Sequence, residues 1–325
     1  MTGVSVALCT YNGRAFVAEQ LQTILDQHPG AAQLVISDDG SVDGTVEAVR
    51  AALAARDDLP DVVVLEGRAP SGVTANFERA ISAADQELIA LSDQDDRWRP
   101  GRLATISARF AADPALLFVH TDAALIDGDG ADLGRTLFES LEISPEELAG
   151  ERSDDAYRVF LRRNLATGAT AVFRRELMER AAPFPPEWVH DEWLAVIAAV
   201  IGRVDVLEEP TIDYRLHGGN VIGVAKPTLT HKISRVLEHR GDRNAVLARR
   251  FAVLVERLTA LGDLVPPEAL EHAKRKAAFE AERAALPANR LARIRPVVAL
   301  WRRGLYPEYA SRGATDVLRD LLQPV

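Results

Sequence analysis

The sequence is nearly free of cysteine, and this narrows the class of protein. The 325-residue chain has one cysteine, Cys9, so no disulfide bond can form within it. Small secreted domains usually depend on several disulfides. Cys9 also lies in an apolar run, where a cysteine most often acts as a small buried hydrophobic residue. We therefore expect a protein of a reducing compartment that is stabilised by a hydrophobic core.

Long hydrophobic runs are missing as well. No stretch reaches the roughly 18 consecutive apolar residues that a membrane-spanning helix needs. The first residues, MTGVSVALCTYNG, have neither the basic start nor the apolar stretch of a secretory signal peptide. We expect a cytoplasmic protein without a membrane span.

The sequence lacks both of the common glycine-rich motifs that bind phosphate. Neither Gly-x-Gly-x-x-Gly nor Gly-x-x-x-x-Gly-Lys-Ser/Thr is present. The first loop is typical of dinucleotide-binding proteins and the second of P-loop proteins. If a nucleotide binds, a metal ion is therefore expected to hold its phosphates.

Positive charge is scarce in the first part of the chain and in excess in the second. Residues 1–225 contain 19 Lys and Arg against 37 Asp and Glu, a formal net charge of −18. Residues 226–325 contain 19 against 11, a net charge of +8. Because nucleic-acid binding needs a basic surface, the acidic part is not expected to bind nucleic acid. We predict a catalytic domain over 1–225 and a helical extension over 226–325.

Short apolar runs alternate with amphipathic helical patterns in the first part. Predicted strands cover 4–9, 34–36, 61–65, 87–91 and 116–121, and predicted helices cover 15–27, 43–56, 75–84 and 101–112. This alternation predicts an α/β fold with a mostly parallel sheet and helices on both faces. Three strands end in polar clusters, at Thr10-Tyr11-Asn12, at Asp38-Asp39 and at Asp93 to Asp96, which are expected to meet at one sheet edge.

The cluster after the strand at 87–91 has the chemistry of a metal site. Asp93 and Asp95 are one residue apart, so their oxygens can converge on Mg²⁺ or Mn²⁺. The alternative is a solvated acidic turn that caps a helix beginning at Pro100. A single Asp-x-Asp pattern is too short to decide between them.

The later part of the domain contains two further candidate positions. Residues 138–155 have no clear period and are predicted to form a loop or a mobile flap. Asp191 lies near the start of a helical pattern at 194–201, where it is either an ionised functional carboxylate or only a helix cap. His217 follows the second of two closing strands, at 204–207 and 211–216, and a single histidine there is more often neither a metal ligand nor a diphosphate contact.

The C-terminal part reads as helical throughout. Predicted helices cover 228–261, 267–285 and 289–303. The last combines Trp301 and aliphatic residues with five arginines, a pattern that indicates peripheral contact with an anionic membrane. A helix packed on the protein with its arginines in water fits the pattern equally well.

Six motifs in order resemble the family 2 inverting glycosyltransferases of the GT-A fold. They are VALCTYNG, VISDDGSVDGT, ALSDQDDRWRPGRL, NLATGAT, HDEW and YRLHGGN, within residues 4–223. The chain is most similar to bacterial rhamnosyltransferases of surface polysaccharide synthesis. The resemblance implies transfer of a sugar, L-rhamnose from a dTDP donor in the leading hypothesis, to a growing or lipid-linked glycan.

The resemblance also implies roles for individual residues. Nucleotide-sugar binding is expected of Thr10, Tyr11, Asn12, Asp39, Asp93 and His217, metal binding of Asp93, Asp95 and His217, and catalysis of Asp191 as the base. In this scheme Tyr11 stacks on a pyrimidine and Asp39 accepts its N3 proton.

Several alternatives stay open at this point. Asp96 is a second choice as metal ligand, and Glu192 a rival for the base, because His190 stands where many members have glutamate. A UDP-hexose is the alternative donor. From other classes, a nucleotidyltransferase and a catalytically silent sugar-binding module are the competing functions.

Overall fold

The computed structural model describes residues 3–217, 239 and 241–324. The chain divides into two compact units, Met1–Ala156 with Leu165–Val224, and Tyr157–Asn164 with Ala225–Val325. Among the helices of these described residues, none is long and apolar enough to cross a membrane.

The first unit is built on one sheet. Its strands are β1 (Val4–Thr10), β2 (Gln33–Asp38), β3 (Asp61–Glu66), β4 (Leu88–Ser92), β5 (Arg97–Trp98), β6 (Leu116–Ile126), β7 (Asp132–Thr136), β8 (Val172–Arg174) and β9 (Arg203–Arg215). Its helices are α1 (Val17–Leu25), α2 (Thr45–Ala54), α3 (Val73–Ser82), α4 (Arg102–Ala112), α5 (Leu137–Ser140), α6 (Pro145–Glu151), α8 (Glu176–Ala181) and α9 (His190–Ile201). Between them, α7 (Ala156–Arg162) belongs to the second unit from Tyr157 onward.

The sheet is parallel in its first half and mixed in its second. Its strand order is β3-β2-β1-β4-β8-β6-β9-β5, with β7 paired to β6. Strands β1 to β4 pair in parallel, as the alternation of strands and helices predicts, whereas β8 is antiparallel to both of its neighbours. Every residue of β1, β2 and β4 is buried, as expected for strands covered by helices on both faces.

The register aligns the ends of the three central strands. Thr10 at the end of β1 lies opposite Asp38 at the end of β2, and Leu8 lies opposite Ser92 at the end of β4. The polar residues that follow these strands are therefore delivered to one edge of the sheet.

Two local predictions are wrong. Residues 138–155 are not a loop or flap, because they contain α6 and most of α5, each begun by a capping box, from Thr136 to Glu139 and from Ser144 to Glu147. The two predicted closing strands are one strand, β9, whose pairing with β6 shifts register between Thr121 and Ala123.

The described residues of the second unit are helical. They include α10 (Arg243–Ala260), α11 (Pro267–Ala284), α12 (Arg290–Arg302), α13 (Leu305–Tyr309) and α14 (Ala314–Leu322). The helix predicted over 228–261 is described only from Arg243, and 228–238 and 240 lie outside the described residues.

Aromatic and aliphatic side chains form the core of this unit. They are Phe279, Leu286, Val297, Leu300, Tyr306, Tyr309 and Ala310. A buried charge cluster accompanies them, in which Arg283 binds Glu280 at 2.9 Å and Asp320 at 2.7 Å. Each of these charges has an opposite partner, which offsets the cost of its burial.

Candidate active site

Asp38, the last residue of β2, connects the end of β1 to the turn after β2 by hydrogen bonds. Asp38 accepts the hydroxyl of Thr10 at 2.8 Å and the backbone N–H groups of Gly40 and Ser41 at 3.0 and 2.8 Å. Thr10 and Asp38 are both buried. Thr10 therefore donates its hydroxyl proton to Asp38. A contact between Thr10 and a nucleotide would have to involve other atoms of this residue.

Asp39 is oriented by the loop that precedes α3. Its carboxylate accepts the N–H of Ser71 at 2.8 Å, the hydroxyl of Ser71 at 2.6 Å and the N–H of Gly72 at 2.9 Å. A carboxylate has about four acceptor sites, so one remains for a further donor. This is compatible with acceptance of a base N3 proton. No motif in the sequence points to Ser71.

Gln94, between the predicted metal ligands Asp93 and Asp95, connects the acidic turn to the loop after β1 by hydrogen bonds. Gln94 accepts the N–H of Tyr11 at 2.8 Å and donates to the Tyr11 carbonyl at 3.0 Å. A Cβ at Gly13 would lie 2.0 Å from Oε1 of Gln94, so a larger residue there would displace the Gln94 side chain. The Tyr11 ring is 47% exposed and accessible for stacking. Asn12, the third predicted residue of this loop, accepts the N–H of Val42 at 3.0 Å.

The acidic turn, defined as Asp93, Asp95 and Asp96, gathers negative charge at the end of β4. Burial, followed by the charges of Asp95 and Asp191, raises the pKa of Asp93 to about 7. Burial and its two acidic neighbours also raise the pKa of Asp96 well above the usual range. One oxygen of Asp96, Oδ2, is buried and has no hydrogen-bond partner among the described residues.

Arg215 and His217 close this turn from the end of β9. Arg215 donates from its backbone N–H to Asp96 Oδ1 at 2.9 Å and from Nε to the Asp95 carbonyl at 2.7 Å. His217 Nε2 lies 2.9 Å from Asp95 Oδ2. The structure therefore brings His217 to the acidic turn, next to Asp95, another predicted metal ligand. Asn220, the last residue of the YRLHGGN motif, lies outside the described residues.

The acidic turn does not cap a helix, which was its alternative interpretation. Helix α4 begins at Arg102, its N-cap is Gly101 with φ +82°, and no side chain caps it. The crowded carboxylates are therefore left as hard oxygen donors without a structural task at a helix end.

The residues of the acidic turn fit a divalent cation that is shared with a substrate. Among the residues that the structure describes, no group of three or more His, Cys, Asp or Glu is placed to hold a metal by itself. Mg²⁺ commonly binds through one or two carboxylates together with substrate phosphates. The free Oδ2 of Asp96 and the mutual repulsion of Asp93 and Asp95 are features that a cation would relieve.

Asp191 lies in the first turn of α9 and is oriented by a backbone donor. The N–H of Gly168, in the 3₁₀ turn Gly168–Thr170, donates to Asp191 Oδ2 at 2.9 Å. The N-cap of α9 is Val189, so Asp191 is not the cap residue. The charge of Asp191 contributes to the raised pKa of Asp93, so Asp191 lies near the acidic turn. The assignment of the base to Asp191 rather than to its rival Glu192 stays a prediction.

His190 occupies a buried position beside this carboxylate. Its ring stacks on Phe77 with centroids 3.9 Å apart and planes 16° apart. Both ring nitrogens are buried without a hydrogen-bond partner in the described part of the chain. Burial lowers its pKa, and the charge of Asp191 raises it in partial compensation. The imidazole is therefore favoured in its neutral form.

Comparison with known proteins identifies the family. The family model described as Glycosyl transferase family 2 matches residues 5–181 of the 325. An uncharacterised glycosyltransferase of Nostoc sp., alr2836, is 27% identical over 224 residues, covering 67% of this chain and 66% of the relative. The putative teichuronic acid biosynthesis glycosyltransferase TuaG of Bacillus subtilis is 28% identical over 155 residues, covering 48% and 57%. The dTDP-rhamnosyl transferase RfbG of Shigella flexneri is 32% identical over 94 residues, covering 28% and 32%.

The chain thus spans less than two thirds of the length of these relatives. A solved structure of similar fold is the mannosyltransferase PcManGT from Pyrobaculum calidifontis, in complex with GDP-Man and Mn²⁺. It has a TM-score of 0.55 and 20% identity and covers 99% of this chain and 85% of its own. This similarity confirms the predicted α/β fold. Since the family model also covers more than half of the sequence, the chain belongs to glycosyl transferase family 2.

Proposed function

We propose that this protein transfers a sugar from a nucleoside diphosphate donor to a hydroxyl of a growing surface polysaccharide or lipid-linked glycan, with inversion at the anomeric carbon. The observation that carries the proposal is the placement of Asp191 beside the acidic turn, at the end of the strands β1, β2 and β4. Open α/β sheets bind their ligands at this end.

Asp191 is the general base in this proposal. Its carboxylate takes the proton of the acceptor hydroxyl while the hydroxyl oxygen forms a bond to the anomeric carbon. The bond from that carbon to the donor diphosphate breaks in the same step, and the diphosphate leaves with the electron pair. The hydrogen bond from Gly168 to Asp191 Oδ2 holds the base in one orientation throughout.

The acidic turn is proposed to hold Mg²⁺ or Mn²⁺. Asp93, Asp95 and His217 are the assigned ligands, with Asp96 as the alternative. When bound, the cation neutralises charge on the departing diphosphate. The Mn²⁺ in the PcManGT structure supports a divalent cation by analogy of fold.

The nucleotide is proposed to lie between the loops after β1 and β2. The exposed ring of Tyr11 offers a stacking surface, and Asp39 retains acceptor capacity for the N3 proton of thymine or uracil. The leading donor is dTDP-L-rhamnose, supported by the resemblance in sequence and by the short match to RfbG. A UDP-hexose is the alternative donor, since Asp39 would accept the same proton from uracil.

Two functions of other classes receive less support. A nucleotidyltransferase would need a basic glycine-rich loop for a triphosphate, and the loop at Thr10 to Arg14 lacks that pattern. A catalytically silent module would tolerate loss of the functional carboxylates, yet Asp93, Asp95 and Asp191 are all present and close together.

A nucleotide-binding panel tests the proposal. Binding of dTDP, UDP, GDP and CDP is measured by calorimetry with Mn²⁺ and with chelator, and hydrolysis of the matching sugar nucleotides follows. Metal-dependent preference for dTDP would support the rhamnosyl donor. Preference for UDP would retain the mechanism and change the sugar. Absence of binding to every nucleotide would refute the proposed function.

A further inference from the structure

Helix α12 carries an apolar stripe that the fold of the second unit does not bury. Leu291 is 78% exposed, Ile294 48%, Val298 40% and Trp301 46%. Their spacing of three, four and three residues places them within about 80° of the helix circumference. The helix already has a separate buried face, formed by Arg293, Val297 and Leu300. The stripe is therefore additional to the face that packs into the core.

The stripe is bordered by positive charge. Arg295 and Arg302 are exposed and lie next to it on the helix surface, at about 40° and 20° from Leu291. Helix α12 contains no Asp or Glu.

Two other arginines of this region, Arg293 and Arg303, have partners within the protein. Arg293 donates to the carbonyl groups of Pro287 at 2.6 Å and Gln323 at 2.7 Å. Arg303 pairs with Glu282 at 2.8 Å. Arg295 and Arg302 form no ion pair with any described residue.

We propose that this stripe, with Arg295 and Arg302, docks the protein on an anionic phospholipid surface. Charge complementarity selects this occupant, because the apolar side chains are flanked by arginines and no carboxylate of the same helix opposes lipid phosphates. The side chains of Leu291, Ile294 and Trp301 enter the boundary between headgroups and acyl chains. The docking itself does not depend on the proposed function. Only its biological purpose, bringing the enzyme to a lipid-linked acceptor, rests on that function.

The tryptophans of the chain provide a selective reporter. Trp98, Trp188 and Trp193 are buried at 3%, 4% and 0% exposure, and Trp301 is the fourth tryptophan of the sequence. Quenching by acrylamide in water, and by brominated lipid in vesicles, therefore reports mainly on the stripe. We expect anionic vesicles to protect Trp301 from acrylamide and to expose it to the brominated lipid.

The experiment uses the full chain with vesicles of phosphatidylcholine alone or mixed with phosphatidylglycerol. The wild type should bind only the mixed vesicles. The double variant Leu291→Glu, Ile294→Glu retains the reporter and should bind at least about tenfold more weakly. Arg295→Gln with Arg302→Gln retains the apolar stripe and should lose about fivefold in binding for each arginine.

Leu264→Glu is the matched control. Leu264 is 48% exposed in the same unit, in the 3₁₀ turn Gly262–Leu264, and lies outside the stripe. This variant should bind like the wild type. If both double variants also bind like the wild type, or if the wild type ignores anionic vesicles, the proposal is wrong. A wild-type dimer that the double variant Leu291→Glu, Ile294→Glu converts to monomer, without vesicle binding by either, would instead assign the stripe to a second copy.

Donor hydrolysis without vesicles separates this inference from the proposed function. A protein that hydrolyses a sugar nucleotide but does not bind vesicles would refute the docking surface alone. A protein that binds anionic vesicles through the stripe but binds no nucleotide would refute the proposed function and support the docking surface.

Discussion

Replacement of Gly168 by alanine should disturb the proposed base without touching the nucleotide loops. A Cβ at this position would lie 2.9 Å from His190 Nε2, 3.4 Å from Asp191 Cβ and 3.5 Å from Asp191 Oδ2. The same residue donates its N–H to Asp191 Oδ2 at 2.9 Å. The new methyl group therefore presses on the turn and on the start of α9 at the point where the base is oriented.

The size of the effect follows from these distances. Ordinary contacts of a Cβ begin near 3.4 Å, so the two elements must separate by about 0.5 Å at the His190 contact. The ring of His190 is buried and stacked on Phe77, which limits its retreat. A misplacement of about 1 Å in a catalytic group can reduce the rate about a hundredfold. We expect kcat of the variant to decrease by about tenfold to a hundredfold. Overpacking should cost about 1–3 kcal/mol of stability.

The assay is steady-state transfer together with calorimetric binding of the donor nucleotide. Gly168→Ala should lower kcat and leave the dissociation constant of the nucleotide unchanged, because Tyr11 and Asp39 are held by other loops. Gly30→Ala is the control, since its nearest neighbour atom is the Gln27 carbonyl oxygen at 3.6 Å. Full kcat in a folded Gly168→Ala variant would refute the positioning argument and weaken the assignment of Asp191.

Three further predictions address single residues. Asp191→Asn should retain nucleotide binding and lose about 10²–10⁴-fold in transfer, and loss of nucleotide binding instead would remove Asp191 from the base role. Asp95→Asn should abolish the effect of Mn²⁺ on nucleotide binding and nearly all transfer, so undiminished turnover would contradict the metal assignment. Burial lowers the pKa of His190, so the unfolded chain takes up a proton there first as the pH falls below about 6.5, and stability decreases in that range. His190→Phe should remove up to about 1.4 kcal/mol of this decrease at one pH unit below 6.5 in urea unfolding, and an identical pH dependence in both proteins would show that His190 titrates normally.

The parallel half of the sheet could be predicted because its strands are apolar on both faces and alternate with helices. Strands β1, β2 and β4 are buried along their whole length, and strands buried on both faces consist mainly of apolar residues that can be recognised in the sequence. The mixed half contains short strands, such as β5 with two residues and β8 with three, in which no period can be recognised. Its pairing depends on contacts that are distant in the sequence.

Helices α5 and α6 were missed although a local signal was present. Thr136 and Glu139, and likewise Ser144 and Glu147, have the spacing of capping boxes, and both boxes form. The loop prediction for 138–155 rests on the absence of a clear hydrophobic period. For these short helices the residues at the ends were more informative than the hydrophobic period.

The strand-end carboxylates could be predicted from local pattern, but the residues that position them could not. Asp93, Asp95 and Asp39 directly follow predicted strands, so their location depended only on the strand assignment. Arg215 reaches the Asp95 carbonyl across 120 residues, and Gln94 reaches Tyr11 across 83. Contacts of this range follow from the register of the sheet, which a single sequence does not reveal.

Gln94 illustrates how a residue between two functional positions can serve both. Its side chain binds both backbone polar groups of Tyr11. The loop proposed to bind the nucleobase and the turn proposed to bind the metal are therefore connected by the hydrogen bonds of the Gln94 side chain. A carboxylate at this position would keep only the bond from the Tyr11 N–H and would add charge next to Asp93, where burial already disfavours ionisation. The amide therefore provides the connection without increasing the repulsion that the proposed cation must offset.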